Sequence, residues 1–235
     1  MTRVVGLTGG IACGKSTVTS ELQKRGIVVI DCDKLSRVVV EPGHSAYNKI
    51  VKIHGEDILL PDGSGLDRKK LGDIVFKDDE KRKELTAIVG PAIFMEITKA
   101  LVWNFAIGTP LVVIDAPTLY ETKHLLYLVS EVIVVAASQE TQIKRMHERD
   151  GFTEEQALDR IKAQMPVEEK VAQANIVISN DGSLAELQDR TKEVIDNLEQ
   201  KYKYSASVFW SLPGIVFFAS ILFGAMYVKS QQGHR

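Results

Sequence analysis

The sequence predicts an α/β fold, a five-stranded parallel sheet with helices on both faces, and three observations carry that prediction. Five short runs rich in Val and Ile are apolar on both faces and separated by helical stretches: Val4 to Leu7, Ile27 to Ile30, Leu111 to Ile114, Val132 to Ala136, and Ile176 to Ile178. Strands buried between two helix layers read this way. The first run leads into Gly9-Gly-Ile-Ala-Cys-Gly-Lys-Ser16, the Gly-x-x-x-x-Gly-Lys-Ser spacing of a phosphate loop, which needs a strand before it and a helix after it. Finally, the gap between the second and third runs is about eighty residues, too long for one crossover.

Taken in order, the loop of residues 9–16 turns backbone N–H groups around a nucleotide's phosphates. Lys15 reaches the β and γ oxygens, and the Ser16 hydroxyl is offered to Mg²⁺. Gly9 and Gly14 suit positive φ and close approach of backbone to phosphate. The helix expected from Ser16 to Arg25 adds its dipole to the anion site. The long gap holds helical candidates at Leu35 to Val40, Ala46 to His54, Leu66 to Phe76 and Asp79 to Ile107. An insertion beyond the carboxyl ends of the strands is where a second substrate is held in such sheets. After the fourth strand, Gln139 to Asp150 and Glu154 to Met165 meet at Gly151. Arg145, Arg149 and Arg160, with Lys144 and Lys162, load this hairpin with cations, as in a lid over phosphates or in a solvated charged face. A last helix, Ser183 to Gln200, sets Leu184, Leu187, Val194, Ile195 and Leu198 on one face.

Composition narrows the function. With 29 basic against 31 acidic residues and a net charge of −2, there is no general attraction to nucleic acid. Two cysteines do not make a disulfide scaffold, no signal-peptide pattern precedes the first strand, and the histidines have no zinc spacing. A cytosolic catalytic body is expected. The end of the chain differs. No charge falls between Ser205 and Val228, and a helix from Val208 to Val228 would be about 31 Å long, matching a hydrocarbon core of about 30 Å. Tyr202, Tyr204 and Trp210 fall at interfacial positions and lysines flank both ends, so residues 205–228 are expected to anchor the body to a membrane, followed by a short tail, 229–235. The alternative is a buried terminal core helix.

The second strand ends in Asp31-Cys32-Asp33. Carboxylates there can meet Mg²⁺ or an acceptor hydroxyl, or cap the helix from Lys34. Asp115, ending the third strand, can hold a metal-bound water or cap the turn before Pro117. Arg37 is one helical turn from Asp33 and is expected to pair with it.

These residues together resemble the dephospho-coenzyme A kinase family. The resemblance rests on Gly6-Leu-Thr-Gly-Gly-Ile-Ala-Cys-Gly-Lys-Ser-Thr17, Val29-Ile-Asp-Cys-Asp33, Arg37-Val-Val-Val-Glu-Pro-Gly43, Asp67-Arg-Lys-Lys-Leu71, Ala116-Pro-Thr-Leu-Tyr-Glu121, and Glu140-Thr-Gln-Ile-Lys-Arg145 with Arg149-Asp150. It spans roughly residues 1 to 200. It implies a P-loop kinase body over 1–203, with a helical acceptor-binding insertion at about 34–108 and a lid at about 145–170. The implied reaction moves the ATP γ-phosphate to the ribose 3′-hydroxyl of dephospho-coenzyme A, with Mg²⁺. By resemblance, Asp33 falls on the proposed general base, Arg145 on the phosphate-stabilising lid arginine, and Lys15 and Ser16 on the ATP and Mg²⁺ ligands. The loop from Thr8 through Gly9, Gly10, Ile11, Ala12, Cys13 and Gly14 to Thr17 falls on the nucleotide cradle. The chain departs from the family pattern at Gly90-Pro91, where His-Pro is usual, and at Thr118, where Leu is usual. Rival readings are another small-metabolite or nucleotide kinase on this scaffold, and an ATP-binding membrane scaffold. A GTPase is disfavoured, because the Asn48-Lys49 pair continues into Ile50-Val51 without the aspartate of a guanine-binding element. Cys13 inside the loop is either a site where oxidation would block ATP or a small buried filler.

Overall fold

The structure, a computed structural model, describes residues 2–203. The expected membrane span and tail lie outside the described residues. Along the chain the elements are β1 (Arg3–Gly9), α1 (Lys15–Lys24), β2 (Val28–Asp31), α2 (Cys32–Val38), α3 (Ser45–His54), α4 (Arg68–Lys77), α5 (Asp79–Ala106) and β3 (Leu111–Asp115). Then come α6 (Leu119–Thr122), β4 (Glu131–Ala136), α7 (Gln139–Asp150), α8 (Glu154–Lys162), α9 (Val167–Ala172), β5 (Ile176–Ser179) and α10 (Leu184–Tyr202). All five expected strands are present within two residues of their anticipated limits. Contacts divide the described residues into two compact units: 2–29 with 104–203, and Ile30–Trp103.

The sheet has the order β2-β3-β1-β4-β5, which puts β1 at its centre. β1 runs parallel to both neighbours, with Val4 opposite Val112 and Gly6 opposite Val132, and β4 runs parallel to β5. Parallel pairing follows from the helical crossovers between successive strands, and it demands apolar side chains on both faces. On one face Val5, Leu7, Val113, Ile133 and Val135 pack with Val18 and Leu22 of α1 and Leu187, Ile195 and Leu198 of α10. On the other, Leu119 of α6 lies directly over Gly6. Each such buried aliphatic side chain contributes about 1.5–3 kcal/mol. One expected member of the α10 face is absent. Leu184 is 61% exposed, because it occupies the first turn, and Thr191, fully buried, fills the seam between Leu187 and Ile195.

Within the insertion, Asp31 caps α2 through Lys34 N–H and Asp67 caps α4 through Lys70 N–H. Ile50, Ile58, Leu66 and Leu71 form its own small core. A tight antiparallel connection precedes α4, with Leu59 bridged to Leu66. α5 carries Pro91 in its interior, which withdraws one N–H from the helical ladder. It also exposes Met95, Val102 and Trp103, and Glu80–Ala106 is long and apolar enough by composition to cross a membrane.

Candidate active site

β1 delivers the chain into the phosphate loop at Gly9, and α1 begins at Lys15 with Gly14 as its N-cap. Gly14 has φ 90° and supplies no side-chain cap. The first-turn N–H groups, orphaned in any helix, are therefore open toward the loop. A Cβ on Gly14 would also stand 2.3 Å from the Asn180 side-chain nitrogen. Gly9 has a different reason for being glycine than the positive φ expected of it. Its backbone is not left-handed, but a Cβ there would lie 2.5 Å from the Val135 carbonyl oxygen. Besides Gly14, the loop has a left-handed non-glycine residue, Ala12, at φ 57°, an arrangement costing an L-residue about 1–2 kcal/mol.

What holds the loop in this shape is a set of side chains from distant parts of the chain. Gln142 Nε2 donates to the Ile11 carbonyl at 2.9 Å, Arg145 Nη1 to the Ala12 carbonyl at 3.3 Å, and Asn180 Nδ2 to the Cys13 carbonyl at 2.9 Å. The Ile11 N–H donates to Gln164 Oε1 at 3.1 Å. In a trans peptide the C=O of one residue and the N–H of the next point opposite ways. Carbonyls pinned outward at 11, 12 and 13 therefore turn the Ala12 and Gly14 N–H groups to the other side, which is the geometry of an anion nest. Gln142 and Asn180 are 2% and 4% exposed, so a lost bond there would leave a polar group stranded away from water.

Lys15 is anchored as well. Its Nζ donates to Asp115 Oδ1 at 2.5 Å, while Thr19 Oγ1 donates to Asp115 Oδ2 at 2.6 Å. Asp115 is 3% exposed. It is the counter-ion of the loop lysine and does not cap the turn before Pro117.

The arginines of the α7–α8 hairpin separate into two sets. Arg145 turns into the loop and also donates to Asn180 Oδ1 at 3.2 Å. Arg149 forms a two-pronged bond to neighbouring Asp150, holding that carboxyl below its ordinary range, and Arg160 stacks 3.8 Å over the Phe152 ring. These two arginines brace the hairpin itself. The joint at Gly151 is left-handed, φ 69°, as expected for a glycine ending α7.

A fully buried lysine lies behind the loop. Lys170 Nζ bonds the Pro117 carbonyl and the Glu121 carboxylate, each at 2.9 Å. The Pro117 carbonyl also accepts from Thr8 Oγ1 at 2.9 Å, and Glu121 accepts from Met165 N–H at 3.2 Å. Burial pushes the Glu121 carboxyl up, but Lys170 and the Met165 N–H outweigh it and hold it below the usual carboxylate range. Gln142, Gln164, Lys170 and Asn180 were not anticipated from sequence. Their only signal is polarity out of place: Asn180 directly after an apolar strand, Lys170 between Val167 and Val171.

Cys13 is 1% exposed, and burial pushes its thiol up against the opposing bond from Gln142 Nε2. Oxidation needs an accessible thiolate. The buried-filler reading fits, and the oxidation reading does not.

In the insertion unit, capping of α2 belongs to Asp31, not Asp33. Asp33 sits exposed in the first turn with no hydrogen bond to its carboxylate among the described residues. The expected Asp33–Arg37 ion pair does not form. Both side chains are exposed, and a solvated i,i+4 pair gains only about 0.2–0.5 kcal/mol, too little to fix two side chains. Arg68 Nη2 donates to the Arg37 carbonyl at 3.4 Å.

The family model for dephospho-CoA kinase matches residues 3–186. A dephospho-CoA kinase of Bacillus cereus is 47% identical over 197 residues, covering 84% of this chain and 98% of that one. One from Carboxydothermus hydrogenoformans is 44% identical, covering 86% and 95%. Among solved structures, the dephospho-CoA kinase of Campylobacter jejuni superposes with TM-score 0.68 at 28% identity, covering 86% of this chain and 99% of that one. The protein TT1252 of Thermus thermophilus superposes with TM-score 0.69 at 32% identity, covering 84% and 98%. The outward-pinned phosphate loop, its anchored lysine and the arginine turned in from the α7–α8 hairpin thus occur in a chain that belongs to the dephospho-CoA kinase family.

Proposed function

We propose that this chain transfers the γ-phosphate of ATP to the ribose 3′-hydroxyl of dephospho-coenzyme A, giving coenzyme A and ADP, the last step of coenzyme A synthesis. The observation that carries the reading is the four-point hold on residues 11–13, which presents backbone N–H groups and Lys15 to a polyphosphate. The acceptor oxygen forms a bond to the γ-phosphorus as the bridging bond to the β-phosphate breaks. The transition state is loose, so most of the work is positioning and charge stabilisation. Lys15 moves from Asp115 to the phosphate oxygens, and Asp115 keeps Thr19 and the loop end in place. Arg145 meets the charge on the transferring group. Asp33 orients the hydroxyl and receives its proton late, since a carboxylate is a weak base toward an alcohol. The residues present fit Mg²⁺: the Ser16 hydroxyl, at the open end of α1, would hold it together with phosphate oxygens, and it would neutralise charge on the β- and γ-phosphates.

The test is incubation of the full chain with ATP, Mg²⁺ and dephospho-coenzyme A, with the product mapped by mass spectrometry. A 3′-phosphorylated product is expected. Absence of transfer, or preference for a different alcohol across an acceptor panel, would replace this reading with that of another small-molecule kinase or a silent ATP-binding scaffold. We further propose that residues 205–228 tether the body to an intracellular membrane with the kinase unit in the cytosol. The uncharged run and its flanking aromatic and basic residues support this. Release of the chain from membranes by alkaline carbonate would contradict it.

A further inference from the structure

Gly10 leaves no room for a side chain. Its backbone lies outside the left-handed region, and a Cβ there would stand 2.5 Å from both Gln142 Nε2 and Val167 Cγ2. α9 therefore rests directly on the phosphate loop through Val167. Three residues on, on the same inward face, is Lys170, while Glu168 and Glu169 between them are exposed. Stability alone does not call for a lysine at a fully buried position, since well-packed apolar side chains often do as well there as an ion pair. What the ammonium adds is direction. Its donors reach two acceptors, each 2.9 Å away, and each acceptor leads back to the loop.

The first acceptor is the Pro117 carbonyl, shared with the hydroxyl of Thr8, the residue before Gly9. The second is Glu121 Oε1, which also accepts from the Met165 N–H. Met165 follows Gln164, whose Oε1 accepts from the Ile11 N–H at 3.1 Å. The two routes thus reach the loop at Thr8 and at Ile11, on either side of Gly9 and Gly10. Resting on the nucleotide-binding role proposed above, we infer that Lys170 is a positioning residue of the phosphate loop, setting its first half through these two arms. Being fully buried, it touches no substrate itself. The physical link to the nucleotide is Ile11. Its N–H is held by Gln164 and its carbonyl by Gln142, so both peptide planes flanking it are fixed. The Ala12 N–H, one of the groups turned to the phosphate side, lies in the second of those planes.

The experiment measures the Kd for ATP by titration calorimetry on the full chain, well below the Tm of each variant, together with the KM for dephospho-coenzyme A. Lys170→Met, which cuts both arms, is expected to raise the ATP Kd about twentyfold and to leave the acceptor KM unchanged. Glu121→Ala and Gln164→Leu each cut the second arm and are expected to raise the ATP Kd about fivefold, the scale of one hydrogen bond. Because they act in series, the double variant should also stand at about fivefold. A double variant at the product, about 25-fold, would place them on separate routes and overturn the arm. A lowered Tm with unchanged ATP Kd in Lys170→Met would make Lys170 a packing residue and overturn the inference alone. If Lys170→Met does not fold, the Glu121→Ala and Gln164→Leu cycle carries the test, and an unchanged ATP Kd in both overturns the inference. An unmodified chain that binds no ATP overturns it together with the function on which it rests.

Discussion

In the unit built from residues 2–29 and 104–203, Lys15, Arg145, Gln142, Asn180 and Lys170 each hold a named partner, and Gln142, Asn180 and Lys170 are buried. In the insertion, Asp33, Arg37 and Arg68 stand exposed, and the ion pairs that do form there, such as Lys83–Glu80, lie open to water. The difference follows from what each unit must do. Bare phosphates need donors already fixed where charge develops, because reorganising them during transfer would raise the barrier. In the insertion the exposed charges are held only by solvent, and a solvated ion pair gains too little to fix two side chains. The unit of the phosphate loop carries its side-chain order in the folded chain, and the charged side chains of the insertion do not.

The sharpest way to break this contrast is to remove one charge from each unit. Lys15→Ala is expected to lower kcat/KM about 10⁴-fold, and Asp33→Asn about 10²-fold. Steady-state kinetics with both substrates varied would show it, and the opposite order would contradict a loose transition state. Next is Lys170→Met, which keeps the bulk and strands Glu121 beside the Pro117 carbonyl. Loss of a fully buried pair costs about 3–5 kcal/mol, reduced here because Glu121 is 26% exposed. A fall in Tm of about 5–10 °C is expected, whereas Lys83→Met in the insertion should barely move it. Asn180→Ala releases the Cys13 carbonyl and is expected to raise the KM for ATP about tenfold while sparing the KM for the acceptor. Equal changes in both would show that the two units are not independently organised. Smallest is Ala12→Gly, which relieves the left-handed backbone and should stabilise the fold by about 0.5–1 kcal/mol. Differential scanning calorimetry would register it as a rise of a few degrees.

Much of the fold was legible, because buried parallel strands write themselves as continuous Val and Ile runs and the phosphate loop has fixed spacing. The ends of elements were less so. Asp31 and Asp33 are both good caps, and only the observed start of α2 at Cys32 shows that Asp31 takes the bond. The site was half legible. Lys15, Ser16 and Arg145 follow from motif and resemblance, but Gln142, Gln164 and Asn180 lie 131, 153 and 167 residues from their loop partners. No local pattern encodes so distant a contact.

By itself, then, the sequence determined the strand set, the place of the phosphate loop, the helical insertion and the two carboxylates at the end of β2. These depend on periodicity, glycine spacing and charge, which act over a few residues. Tertiary structure alone decided that Asp115 would neutralise Lys15, that Arg149 and Arg160 would brace the hairpin while Arg145 faced the loop, and that a lysine at 170 would be buried. Each of those outcomes turns on which polar group arrives beside which once the chain is folded, and on the cost of leaving any one of them without a partner.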